Sequence, residues 1–161
     1  MSWTYCEQWN QVLKQPLHPF GEGEARRRHG AGELYTAVGQ GEDGSTVLVE
    51  IRSANGYAAT RFLDDKGRDG LVYLFSQQGD RLFLRKIMAH TYGEEAGARG
   101  DIALVIESYT YTTDGVVRHK VDDSRHSELA VADYDSVDVS SHWEDNPAFG
   151  EYASISRWDR G

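Results

Sequence analysis

Apolar and polar positions alternate along most of this chain. Val47, Val49 and Ile51 alternate with Leu48, Glu50 and Arg52, the period of two that a half-buried strand requires. Asn55-Gly56 follows; this dipeptide suits a type I′ hairpin, whose two central positions both take positive φ. "YAATRFL" returns and "DDKGRDG" turns the chain again. "LVYLFSQQ" and "RLFLRKIMAHTY" flank Gly79-Asp80 as a second hairpin. "GEEAGARGD" reads as a longer loop, "IALVIESYTYTT" and "VVRHKVDD" flank Asp114-Gly115, and a last strand covers "ELAVADYDSVDV". Short strands joined by turns over residues 33–139 predict an antiparallel β meander, either a curved sheet or a small barrel.

The first segment follows a different period. Trp3, Cys6, Trp9 and Leu13 form a stripe at helical spacing. Ser2 is placed to cap such a helix, and Pro16 and Pro19 to end it. A helix over residues 2–15 is therefore expected, followed by a Gly- and charge-rich connector, "GEGEARRRHGAGE". Its apolar face needs a surface to cover, which favours a curved sheet with the helix packed on it over a closed barrel. The expected fold is thus mainly β (α+β): a single domain over 1–161, with an irregular aromatic and acidic segment at residues 140–161.

Composition narrows the function. The chain has 161 residues, 39% hydrophobic and 27% charged, an ordinary globular balance. Its apolar runs, such as "LVYLF", fall far short of the roughly 20 residues a membrane helix needs. The start "MSWTYCEQW" has neither a basic nor an apolar leader region. Cys6 is the one cysteine, so no internal disulfide forms. A cytoplasmic setting is expected, with no membrane partner. The net charge of −9 argues against a nucleic-acid partner and for a basic protein. Residues 126–156 hold seven acids and no Lys or Arg.

The common catalytic and nucleotide-binding motifs are absent. His119 shares a strand face with Val117 and Val121; it reads either as a core histidine bonded to a neighbour or as a base or ligand in a pocket. His90 lies in another strand and would have to meet it for a paired site. Cys6, on the apolar stripe, reads as an inert buried thiol. Arg26, Arg27 and Arg28 read either as a grip for an anion or as solvated cations paired with the chain's own acids. No catalytic residue, metal ligand or cofactor follows from these patterns.

"SSHWEDNPAFGEYASISRW" is the remaining signal. One reading is a segment draped over the sheet, plugging it with rings. The other is a binding patch, with aromatic anchors inside an acidic rim that steers a basic partner. Its residues would be Asp135, Asp138, His142, Trp143, Glu144, Asp145, Phe149, Glu151 and Tyr152. A small acidic cytosolic chain with an N-terminal helix, a β meander and no catalytic motif, carrying Trp143, Glu144, Asp145, Pro147, Phe149 and Gly150, resembles the immunity proteins of bacterial polymorphic toxin systems. That resemblance implies tight binding to one cognate toxin, often a basic nuclease, and no catalytic residues. The rival expectation is a lipocalin-like cup that binds or transforms a small molecule. Tyr73, Phe75, Tyr109, Tyr111 and His119 would line it.

Overall fold

A computed structural model describes residues 1–95 and 97–160. Ala96, in the predicted "GEEAGARGD" loop, and Gly161, at the end of the predicted 140–161 segment, lie outside the described residues. The chain forms β1 (Ser2–Asn10), β2 (Gln15–Phe20), α1 (Glu22–Ala31), β3 (Tyr35–Gln40), β4 (Thr46–Arg52) and β5 (Tyr57–Leu63). It continues through β6 (Asp69–Gln78), β7 (Arg81–Thr91), β8 (Val105–Tyr111), β9 (Val117–Asp123), β10 (Glu128–Tyr134) and β11 (Trp143–Asp145). From β3 to β10 each strand pairs antiparallel with the next, as the meander reading expected, and the order runs β10-β9-β8-β7-β6-β5-β4-β3-β1-β2. The sheet is open and does not close into a barrel.

The expected helix over residues 2–15 is a β-hairpin instead. Trp3, Thr4, Tyr5 and Trp9 are strand-favouring types, and pairing with β3 satisfies the backbone of the first half. The Asn10 side chain accepts from the N–H groups of Val12 and Leu13, at 3.0 and 2.9 Å, which closes the turn to β2. Pro16 and Pro19 do not end a helix; they sit in β2, an edge strand, where proline is tolerated.

The predicted connector is the helix. Glu22 and Glu24 occupy the first turn of α1, and Arg28 and His29 the last, matching the helix dipole. Glu22–Arg26 and Glu24–Arg28 pairs run along its exposed side at 2.8 and 3.1 Å. Arg27 and Arg28 hold the Glu24 carboxyl down to about 2. Gly32 ends the helix at φ 74; a Cβ there would meet the Ala54 backbone nitrogen at 3.0 Å. The arginine cluster is thus committed to the chain's own acids.

All three turn signals fall between strands that pair as hairpins. Gly79-Asp80 links Gln78 to Arg81, and the loop at Asp114-Gly115 links Tyr111 to Val117. Asn55-Gly56 does not make a two-residue type I′ turn. Arg52 pairs with Tyr57, which leaves four residues outside the ladder, and Ser53–Asn55 forms a 3-10 turn.

One cross-strand row shows how the sheet sorts its faces: Tyr5, Ala37, Val49, Thr60, Tyr73, Ile87, Tyr109, His119 and Ala132. This inner face carries the main core. α1 covers one end of it through Ala25. The C-terminal segment covers the middle: Tyr152 and Ile155 are fully buried, and the Thr60 hydroxyl donates to the Ile155 carbonyl at 2.6 Å. A second, smaller cluster on the outer face packs Cys6, Val38 and Leu48 under Trp9 and Leu63.

Where α1 meets the C-terminal segment, the His29 imidazole lies 2.8 Å from the Tyr35 hydroxyl and edge-on to Phe149. Burial and the nearby Arg26 push its pKa below the ordinary imidazole value. The unfolded chain therefore takes up this proton first, and stability falls as pH drops through the ordinary histidine range, about 6.5. Urea midpoints measured between neutral and mildly acid pH are expected to fall, and to fall less in His29→Gln. An equal pH dependence in both proteins would remove His29 as the cause.

Candidate functional site

Beyond β7 the sheet continues as a three-stranded wing, β8–β9–β10, which the C-terminal segment meets at Tyr111, where His142 packs, and leaves open along β10. Gly115 fixes its distal turn at φ 88, and its carbonyl accepts from Val137 N–H at 3.0 Å. A side chain at Gly115 would run into the Val137 carbonyl, so the segment after β10 crosses tightly under this turn. At the other end Ser124 is tied to the Leu104 carbonyl by both its backbone N–H and its hydroxyl. Every residue of β10 is exposed, including Leu129 at 60%, Val131 at 51% and Tyr134 at 54%.

Charge concentrates here. Residues 105–139 hold eight acids against Arg118, Lys120 and Arg125, which is five of the nine net negative charges. Arg118 is bound to Asp133 and Arg125 to Asp123, at 2.9 and 3.0 Å. Among the described residues no cation pairs with Asp122, Glu128, Asp135 or Asp138. The Asp138 carboxylate accepts from Ser140 N–H at 2.9 Å, and that bond keeps its pKa below the usual value.

On the inner face of the wing, His119 stacks on Tyr109, with ring centres 4.4 Å apart. The Glu107 carboxylate lies 2.8 Å from His119 Nε2 and accepts from the Tyr109 hydroxyl at 3.0 Å. These bonds lower the Glu107 pKa, that to His119 most. The arrangement orients an imidazole, but among the described residues no Ser, Thr or Cys side chain completes it as a nucleophile. His90 does not meet it: His90 pairs with Ile106, one position out of phase with the Tyr109 row, so strand alternation sends it to the opposite face. No three His, Cys, Asp or Glu side chains converge as a metal site among the described residues.

The nine expected partner-binding residues divide. Asp135, Asp138, Asp145 and Glu151 are exposed acids. Tyr152 and His142 are buried and cannot anchor a partner; His142 Nδ1 lies 2.8 Å from the Leu84 carbonyl, with its ring against Tyr111. Trp143, in β11, packs on Phe83 at 5.0 Å, and Phe149 stacks on Tyr5 at 5.3 Å beneath the Arg26 guanidinium. Tyr152 and Phe149 therefore plug the inner face, whereas Trp143 packs with Phe83 on the side away from Leu82 and Leu84. The acidic run is also less bare than its sequence span suggested. Arg157 and Arg160 follow immediately and both pair with Glu144, while Arg81 pairs with Asp145. In this segment Trp158 is the exposed ring, at 76%.

The expected ligand cup fails on packing. Its five residues do share the inner face, but Tyr73 and Phe75 are buried in the main core with Tyr152 and Ile155, and the sheet is open. A groove does exist on the outer face. It holds about 410 Å³ and is lined by Trp9, Thr36, Glu50, Tyr57 and Arg61 among others. Arg61 bridges Glu50 and Asp69 at 2.9 and 2.6 Å, and the Tyr57 hydroxyl donates to Glu50 at 3.0 Å. Burial works against the Arg61 charge; its bonds to Asp69 and Glu50 outweigh burial and raise its pKa. Cys6 lies beneath this face, its thiol pushed up to about 11 by burial, which fits the inert reading.

Sequence reasoning missed β10 as an open edge. "ELAVADY" has the pattern of any half-buried strand, and only the strand order leaves one side of it unpaired. No protein family matches this chain, and neither a characterised protein nor a solved structure is similar to it. No helix among the described residues is long and apolar enough to cross a membrane.

Proposed function

We propose that this chain is a non-catalytic binding protein that captures a basic protein on its acidic side, as an immunity protein captures and neutralises a cognate toxin such as a nuclease. The observation that carries the reading is the charge imbalance of the wing. Arg118 and Arg125 are already engaged by Asp133 and Asp123, while Asp122, Glu128, Asp135 and Asp138 have no cation partner among the described residues. Unpaired carboxylates gathered on one wing steer a cationic partner and reject acidic ones. The contact surface we assign to that partner centres on Asp135 and Asp138, with Tyr134 as an exposed ring, and draws in the exposed acids Asp145 and Glu151.

The test is complex formation with the protein encoded by the adjacent reading frame. A stable complex is expected, with association slowing as salt rises. Changing Asp135→Lys together with Asp138→Lys should slow association about tenfold and leave dissociation nearly unchanged, because the patch acts before contact rather than within it. Association indifferent both to salt and to this double change would remove the reading.

A further inference from the structure

The two edges of the sheet are treated differently. The β2 edge carries two prolines, Pro16 and Pro19, and His18 takes a positive φ of 49° between them. These devices keep another strand from pairing there. At the β10 edge none of them is present. Seven residues run in unbroken register with β9, from Glu128 opposite Asp123 to Tyr134 opposite Val117, without proline, lysine or bulge. Alternate N–H and C=O groups along β10 point away from β9 and have no strand to meet.

We propose that the β10 edge is a strand-docking site, and that its occupant is an extended segment of a basic partner that adds to the sheet as a further strand. The inference rests on the reading of the wing as the surface for a basic protein, and specifies how that partner is held. Side chains along the edge define the segment. Leu129 and Val131 make an exposed apolar centre. Glu128 lies at one end, with Asp122 opposite Leu129, and Asp133 and Asp135 lie at the other. Lys120, opposite Val131, keeps cations out of the centre. The matching segment is therefore a short β-forming stretch with an apolar middle and Lys or Arg at both ends. Main-chain bonds supply the affinity and the end charges the selection. A second copy of this chain fits badly. Antiparallel pairing about Val131 sets Asp133 against Leu129 and Glu128 against Tyr134, gains no ion pair, and brings two wings of net −5 together.

The probe is a blocked peptide, Lys-Val-Thr-Val-Thr-Val-Lys, compared with the same peptide carrying proline at its centre and with an oligolysine of equal length. Binding is measured by fluorescence anisotropy at low salt, and backbone amide exchange in β10 by NMR. The expected result is at least about tenfold slower exchange at alternate β10 amides, and about tenfold weaker binding of the proline peptide, which cannot complete the ladder. Leu129→Lys with Val131→Lys, on an exposed edge where folding is unaffected, should abolish binding of the probe. If all three peptides bind equally and the β10 amides exchange as before, strand addition is wrong while the acidic wing stands. If no peptide binds even at low salt, the basic-partner reading falls with it. If β10 amides become protected with rising protein concentration and no peptide, the occupant is a second copy and the proposal is overturned.

Discussion

Tyr152→Ala is expected to destabilise the protein by about 3–5 kcal/mol, the range for removing a large buried ring. Tyr152 is 1% exposed, edge-on to Trp3 at 4.9 Å, and its hydroxyl bonds that of Tyr35 at 3.0 Å. The substitution opens a cavity between β1, β3 and the C-terminal segment, where backbone ties such as the Thr60–Ile155 bond limit collapse. At roughly 2–4 °C per kcal/mol for a chain of this size, melting should drop by about 10 °C. Tyr152→Phe keeps the ring and loses one bond, at a cost of about 1 kcal/mol. Chemical denaturation of the three proteins checks both figures. Parent-like stability in the alanine variant would mean that the segment rests on the sheet without belonging to its core. The same pair separates stability from recognition: binding by the folded fraction of Tyr152→Ala should match the parent, since the ring faces inward.

The second large effect is expected at Arg61. Its side chain is mostly buried between two equally shielded carboxylates, Glu50 and Asp69. With its amide oxygen turned toward the guanidinium, Gln11 of the β1–β2 turn accepts from the same group. Arg61→Met keeps much of the volume and removes the charge, stranding two partly buried anions at a cost of about 3 kcal/mol. Adding Glu50→Gln and Asp69→Asn removes the stranded charges. That triple variant should recover most of the loss, because a satisfied neutral site costs less than an unbalanced ionic one. Urea midpoints of parent, single and triple variants decide it. No recovery in the triple variant would place the role of Arg61 in packing rather than charge balance.

These two positions mark what could be read in the chain and what could not. The meander from β3 to β10 was legible because its strands keep a period of two and its turns carry glycine. The N-terminal error came from four apolar residues that also fall on a helical period. Trp3 and Tyr5 face the inner core while Cys6 faces the outer cluster, so a strand buried on both faces mimicked a helical stripe. The true helix has one buried residue, Ala25, and so no apolar period to find; its signal was the Glu-to-Arg order along "GEGEARRRHG". At the candidate site the acids were legible as composition. Their separation into paired and unpaired groups was not, since Arg118 meets Asp133, and Arg160 meets Glu144, only through the fold.

β7 pairs with β11 through Arg81–Asp145, Leu82–Glu144 and Phe83–Trp143, and with β8 along its other half. The β7–β11 contacts, with Tyr35–Tyr152 and Tyr73–Trp158, join residues 35–83 to residues 143–158, which are made later. The meander can form its hairpins as it leaves the ribosome, but its inner face stays uncovered until residues 143–158 have emerged. Covering of the inner face thus waits on residues 143–158, a closure between segments far apart in sequence. Until then the nascent sheet exposes Tyr73, Phe75 and Leu84, so the interval between synthesis of β10 and of Tyr152 is the period in which a holding chaperone would matter most.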